Sequence, residues 1–596
     1  MIERWPLIAA TMVTLLSGVA LARWTTALVR HRARGLDASD ESYYLLWAVD
    51  PDAPIARQGD FGYYLNLMWR WSGGSLASLR LAGAVAILAA CALMAAAVTR
   101  WIPAQFARRV RRLAFVANWV CVSAVAFTYY ALWLVTPSYN LLSLVFGLVA
   151  FAGLIGGLAG EATRDRRPAR SSTPTAWFVV LGAAGALLAD VKPMAGAAAA
   201  TLCLPTIVAV SGLRRSVTLM KPTAAGIAIG IAVNVVVVGS PATTYTEARR
   251  FVHMVAIGRY YSAEQVWDRT LVIHSVLPWL ASLAVTSVAV AAVWRWVRSP
   301  TTRTLVIGVT TAVVSVLLWG DRPHGGPAVF SGDAGWWWLR MTGWTLVFVS
   351  ALAERRERVL MIGPFVALGG LAASVGTDNG FIRLAGLMAG LFAAGVLVQA
   401  VLVASRGGGE LLRALPAFGF FLCAAVVSAS QVAEALRDPY RLEASVAANR
   451  VPVRLRGLGT VEVSPGLARY VIDLQRIGPR VPAAARNCLV DLAGGTPLSA
   501  LALEARPATT PWTFGGYAGT GPALEYIIGY APCVSGPVLL IEAVGGERAI
   551  ARSSVLEGRR ATVVGEVRFD GYIDEVQVVS VVEPTSTFRP TTPGSG

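Results

Sequence analysis

Asp40 and Glu41 stand side by side in "DESYY", followed by Tyr43 and Tyr44, in a loop just past the first strongly apolar run. Adjacent carboxylates beside a membrane segment are either a solvated turn or an acid–base device, since a carboxylate within reach of a hydroxyl can take its proton. Asp60 in "QGDFGYYLN" repeats the pattern of an acid ahead of paired tyrosines. Lysine occurs only as Lys192 and Lys221, with arginine supplying the rest of the positive charge. Lys192, in "ADVKPMAG", falls at the end of an apolar run, where a long cation either snorkels to the headgroups or meets a bound anion. "EARRFVHMVAIGRYY" puts Arg249, His253 and Tyr260 on one helical face, with Arg250 and Arg259 nearby. That face suits lipid headgroups or a substrate phosphate. "PSYN" opens a span with Tyr139 and Asn140, an ordinary helix start, and "GTDNG" composes a tight turn around Asp378.

The elements that must position these residues are membrane helices. Of 596 residues, 55% are hydrophobic and only 15% charged, a balance that no soluble domain of this length carries. The formal charge of +17 does not point to nucleic acid, because the arginines cluster between apolar runs as topology signals do. A span needs about 20 apolar residues. Segments of that kind lie near 5–23, 78–98, 113–135, 139–159, 176–190, 194–212, 222–239, 271–294, 304–319, 335–353, 358–374, 381–404 and 414–432, about thirteen spans by that length rule. Alternate loops are basic ("RWIPAQFARRVRR", "EATRDRRPAR", "SGLRRSVTLMK", "RWVRSPTTR", "ERRER"), while the opposite loops are richer in acid and tyrosine. The bias predicts an amino terminus inside and a carboxyl terminus outside.

The first outer loop, 24–77, is too polar to span, and its Tyr, Trp and Leu suit helices in the membrane interface. From 433 onward the chain changes character: "VPVRLRGLGTVEV", "PVLLIEAV" and "ATVVGEVRFDGYIDEVQVVSVVE" are short β-branched runs, and "GLARYVIDLQRIG" has helical spacing. We expect a membrane domain over 1–432, an extracytoplasmic α/β domain over 433–584 and a disordered tail over 585–596. Cys488 and Cys533 can pair if that domain lies outside the cytoplasm.

"DESYY" resembles the acidic motif in the first outer loop of the GT-C superfamily of membrane glycosyltransferases, in its branch of protein O-mannosyltransferases and aminoarabinose transferases. "QGDFGYYLN" is similar to that branch's second motif, "ADVKPMAG" to its lysine at the outer end of a middle span, and "PSYN" to a recurring motif of bacterial members. The resemblance covers the membrane half and implies a GT-C-like, polytopic helical fold. It also implies transfer of a sugar from a polyprenyl-phosphate donor to a glycan, lipid or protein acceptor at the outer face of a bacterial plasma membrane. Asp40 is then the base, with Glu41 and Asp60 orienting base or acceptor. Phosphate is a good leaving group, so one base suffices and the anomeric centre inverts. Lys192, Arg249, Arg250 and Arg259 would meet the charge on the phosphate, and Tyr43, Tyr44, Tyr139, Asn140, Tyr260 and Asp378 would contact substrate.

His31, His253, His274 and His324 show no ligand spacing, so no metal is expected, although the acidic loop leaves room for a divalent cation of the kind more distant GT-C branches hold. No Walker loop or dinucleotide fingerprint is present, and no other cofactor is expected. The competing reading is a transporter or flippase of a lipid-linked glycan, which would place its ionisable residues near mid-membrane. A membrane-anchored scaffold would leave the acidic loop unexplained.

Overall fold

The computed structural model describes residues 5–53, 57, 59–103, 105–164, 173–258, 358–374, 386–404, 415–455, 457–493, 497–508, 520–544, 555–570 and 575–584. The expected spans at 271–294, 304–319 and 335–353, together with Arg259, Tyr260, Asp378 and the 585–596 tail, lie outside them. Every other apolar segment named above is helical over most of its described residues, because in lipid a chain can satisfy its backbone only internally.

The membrane helices are α1 (Trp5–His31), α4 (Leu76–Thr99), α5 (Arg108–Ala126), α6 (Tyr139–Arg164), α7 (Thr173–Val191), α8 (Pro193–Ser211), α9 (Leu213–Val238), α11 (Ile362–Ser374), α12 (Ala389–Ala404) and α13 (Leu415–Arg437). A single 3-10 stretch, Phe127–Leu132, extends α5. Among the described residues, seven helices are long and apolar enough to cross a membrane, and three shorter apolar ones pack with them. The protein is a polytopic membrane protein. α1 runs on to His31, further than its apolar run, and ends with Arg30 and His31, cations suited to a helix C-terminus.

Between α1 and α4 the outer loop folds into two short helices, α2 (Asp40–Val49) and α3 (Phe61–Trp71). Their inner faces bury Tyr43, Tyr44, Leu45, Trp47, Phe61, Tyr64 and Leu65. Each large side chain removed from water contributes on the order of 1.5–3 kcal/mol. Gly62 is required at the crossing, since a Cβ there would run into the Trp47 indole. Asn66 adds a bond from its Nδ2 to the Ala48 carbonyl at 2.7 Å.

The C-terminal unit is α/β. A hairpin of β1 (Val451–Leu455) and β2 (Gly459–Val463) precedes α14 (Pro465–Ile477), which starts on the cap Ser464. A four-stranded sheet follows, ordered β3 (Leu489–Asp491), β4 (Val538–Ala543), β6 (Glu575–Pro584), β5 (Arg559–Phe569); β3 and β4 are parallel and the other pairs antiparallel. Two helices, α15 (Pro497–Leu503) and α16 (Thr520–Gly529), lie between β3 and β4 in the chain. Cys488, just before β3, is disulfide-bonded to Cys533, just before β4, with Cα atoms 5.5 Å apart.

This unit sits on the outer loop. Gly35 donates to the Glu462 carbonyl (2.8 Å) and Glu462 to the Ala33 carbonyl (2.8 Å), so the end of α1 continues as a short strand beside β2. The Arg34 guanidinium adds a 2.7 Å contact to Glu462. α2 and α3 share one buried core with Val453, Leu455, Leu467 and Leu501 of the C-terminal unit. Outer loop and C-terminal unit are therefore on the same side of the bundle.

Candidate active site

Asp37, four residues ahead of Glu41, organises the start of α2. Its carboxylate accepts from the backbone N–H groups of Ser39 (3.2 Å), Asp40 (2.6 Å) and Glu41 (3.3 Å) and from the Ser39 hydroxyl. This satisfies donors that a helix N-terminus leaves open. Burial raises the Asp37 carboxyl to about 7, with the neighbouring Asp40 charge as the next cause.

Glu41 is locked as well. One oxygen accepts from Thr136 N–H (2.9 Å), the other from Asp37 N–H (3.0 Å), and Arg80 Nη2 lies 3.2 Å from both. Both side chains are 1–2% exposed. Arg80 also donates to the carbonyls of Arg32 (3.0 Å), Arg34 (3.0 Å) and Gly35 (2.6 Å), so the pair clips the loop to α4. Its surroundings make Glu41 a residue that holds α2 in place.

Asp40 is different. It stands at the first turn of α2 with its side chain 32% exposed, and Oδ1 lies 3.3 Å from Arg441 Nη1. One turn along the same face, Tyr44 is buried. Burial raises its phenol well above the ordinary value, with Tyr139 and Asp40 as the next causes, so it remains a neutral hydroxyl. The Tyr44 and Tyr139 rings are 5.9 Å apart, and Phe61 lies 5.6 Å from Tyr139. Tyr43 packs on Tyr44 and Phe61 at 5.6 and 6.0 Å.

On the far side of Tyr139 is Lys192, in the turn between α7 and α8. Its Nζ lies 5.6 Å from the Tyr139 ring and donates to Asn140 Oδ1 (3.4 Å) and to the Ala373 (3.1 Å) and Ser374 (3.2 Å) carbonyls. Those carbonyls belong to the last described turn of α11. Among the described residues no carboxylate pairs with this ammonium, and burial lowers it to about 7.

Asp60 lies against the end of α7. Gly59 allows this approach, since a Cβ there would fall 2.9 Å from the Asp190 and Val191 carbonyls. Asp60 N–H donates to the Asp190 carbonyl at 3.3 Å, and the Asp60 and Asp190 side chains are neighbours. Tyr64 donates its hydroxyl to Asp190 (2.5 Å) and Asn234 its amide to Asp60 (3.4 Å). A buried Asp60 and a half-buried Asp190 held this way fix the loop to α7 and α9.

The sequence-derived residues thus divide. Asp40, Tyr43, Tyr44, Tyr139, Asn140 and Lys192 form one connected group, Glu41 and Asp60 brace it, and the arginines of α10 (Pro241–Gly258) face elsewhere. α10 packs on α16: Arg250 pairs with Glu247 (2.6 Å) and lies over the Tyr530 ring, His253 stacks near Tyr526, and Arg249 and Arg250 both act on the Tyr526 phenol. Sequence reasoning did not single out Asp37, Arg80, Asp190 or Arg441. Arg80 had a signal, a charge inside an apolar run; Asp37 had another, an acid just ahead of an amphipathic run.

Among the described residues no group of three or more His, Cys, Asp or Glu could hold a metal. The acidic loop does not fit a divalent cation: the Asp37 and Glu41 oxygens are taken by protein donors and Asp40 faces a guanidinium.

No protein-family model and no curated protein matches this sequence. Two kinds of solved structure are similar to it in fold. ArnT, an aminoarabinose transferase from Cupriavidus metallidurans solved with undecaprenyl phosphate, is 14% identical with a TM-score of 0.40, over 95% of this chain and 97% of that one. The oligosaccharyltransferase AglB from Archaeoglobus fulgidus, solved with an inhibitory peptide and a dolichol-phosphate, is 12% identical with a TM-score of 0.44, over 92% of this chain and 72% of that one.

Proposed function

We propose that this chain is an inverting GT-C-type glycosyltransferase that moves a sugar from a polyprenyl-phosphate donor to a hydroxyl of an extracytoplasmic glycan, lipid or protein at a bacterial plasma membrane. The observation that carries the reading is the connection from Asp40 through Tyr44 and Tyr139 to Lys192. It sets a partly exposed carboxylate and a buried ammonium, with no carboxylate partner among the described residues, at one end of the bundle.

In this reading the acceptor O–H gives its proton to Asp40 while its oxygen attacks the anomeric carbon opposite the phosphate. The carbon–phosphate oxygen bond breaks, and the negative charge gathering on the leaving phosphate meets the Lys192 ammonium, a cation fixed before the reaction begins. The tyrosine and phenylalanine rings between them exclude water and offer faces and hydroxyls to the sugar. No step requires a metal.

The position of the charges favours transfer over transport. Among the described residues, Asp40, Asp60, Asp190 and Lys192 lie in the outer loop or at helix ends, and Arg80 is neutralised by Glu41 near the start of α4. A carrier would place such groups near mid-membrane. The test uses purified protein, a polyprenyl-phosphate sugar of defined anomeric configuration and a hydroxyl acceptor. Release of free polyprenyl phosphate with formation of a bond of opposite configuration is expected. Intact movement of the donor across proteoliposomes, without cleavage, would support the flippase instead.

A further inference from the structure

The segment leaving α13 for the C-terminal unit crosses the acidic loop and is pinned there on both sides of Arg441. Tyr440 N–H donates to the Leu132 carbonyl at 3.1 Å. Leu442 packs over Gly35, whose missing Cβ makes room for it. Between these anchors Arg441 has φ +54°, a left-handed backbone that residues bearing a side chain rarely adopt. Such a conformation persists where its surroundings impose it, and it often marks a functional position. Here it aims the guanidinium at the start of α2: Nη1 donates to the Ser39 hydroxyl at 2.8 Å and lies 3.3 Å from Asp40 Oδ1, with the Tyr440 ring 4.8 Å beneath.

We propose that Arg441 is a positioning residue through which the C-terminal unit completes the transfer site, orienting the Asp40 carboxylate and holding it ionised. The inference rests on Asp40 being the base. The groups that act on or touch Asp40 include Asp37 from the preceding loop, Tyr44 one turn along its own helix, and Arg441 from the linker. Glu41 is already matched by Arg80. That leaves Asp37 and Asp40 as two carboxylates sharing one region, an arrangement that drives one of them to take a proton. A protonated Asp40 cannot accept the acceptor's proton, and the Arg441 guanidinium opposes its protonation.

The experiment is the pH profile of kcat/KM for full-length Arg441→Gln and Arg441→Lys. Removing an opposite charge within a few ångströms, at a site open enough to be screened, is expected to move the acid limb up by about one pH unit. Transfer then falls by up to roughly tenfold on the acid limb and much less on the plateau above it, with Arg441→Lys returning the limb most of the way. An unmoved limb in the Arg441 variants, or a uniform loss at every pH, overturns the proposal. Asp40→Asn transferring at the wild-type rate would instead remove the reading of Asp40, whereas an inactive Asp40→Asn beside an unmoved Arg441→Gln limb removes only Arg441.

Discussion

Arg80 meets Glu41 with one guanidinium nitrogen 3.2 Å from each carboxylate oxygen, at a seam where α2, α4 and the end of α1 come together. Removing one partner strands the other as an unpaired buried charge, at a cost of about 3–5 kcal/mol. Arg80→Met should therefore lower the unfolding midpoint and the transfer rate together. Arg80→Met combined with Glu41→Leu should recover only the part due to the unmatched charge, because the Arg32, Arg34 and Gly35 carbonyls and the Thr136 and Asp37 N–H groups still lose their partners. The unfolding midpoints of detergent-purified single and double variants read this directly.

Lys192 gives a pH dependence with a definite sign. In the free protein its ammonium loses its proton near 7, so donor capture is strongest below that pH and weakens above it. The profile of kcat/KM, which reports the free enzyme, should show a basic limb near 7. The limb in kcat should lie higher, because a bound phosphate favours the charged form. Stability runs the other way. The unfolded chain binds the proton more readily between about 7 and the ordinary lysine value of 10.5, so the Lys192 contribution to stability rises with pH across that window. Lys192→Ala should remove the limb.

Gly62→Ala tests whether the α2–α3 crossing sets the site. The added methyl enters the space of the Trp47 indole, and overpacking of this kind costs about 1–3 kcal/mol. Since Trp47 lies on the helix that begins with Asp40, we expect a slower transfer rate with donor binding little changed, measured by comparing turnover with affinity for polyprenyl phosphate.

The Cys488–Cys533 bond closes the segment between the starts of β3 and β4, strands paired in parallel. Cys488→Ser with Cys533→Ser should destabilise the C-terminal unit by about 2–4 kcal/mol. Limited proteolysis should show earlier cleavage in 489–532 than in the wild type. Equal resistance would mean that the strand pairing suffices without the bond.

What the sequence made legible follows from how local each signal is. The described spans, the helices of the outer loop, the β1–β2 hairpin, β4 to β6 and α14 carry their own periodicity, so each appears where a run of residues predicts it. The three-residue β3 does not, because it is too short for an alternation to register and exists through its pairing with β4. Asp40, Tyr44, Tyr139 and Lys192 stood out by type and neighbourhood. Arg441 did not, since its significance is a contact with Asp40 across the whole membrane domain, and no spacing rule spans that separation. Arg249 and Arg250 show the converse: their helix was legible, but its partner, α16, lies in another unit. Pairings set by tertiary structure decide which charged residues reach a site.

The most direct test of the account measures binding of polyprenyl phosphate and sugar transfer in parallel for Asp40→Asn and Lys192→Ala. Asp40→Asn should bind the lipid phosphate as the wild type does and transfer no sugar, while Lys192→Ala should lose affinity for the lipid phosphate. Wild-type transfer by Asp40→Asn, or undiminished phosphate binding by Lys192→Ala, would contradict it.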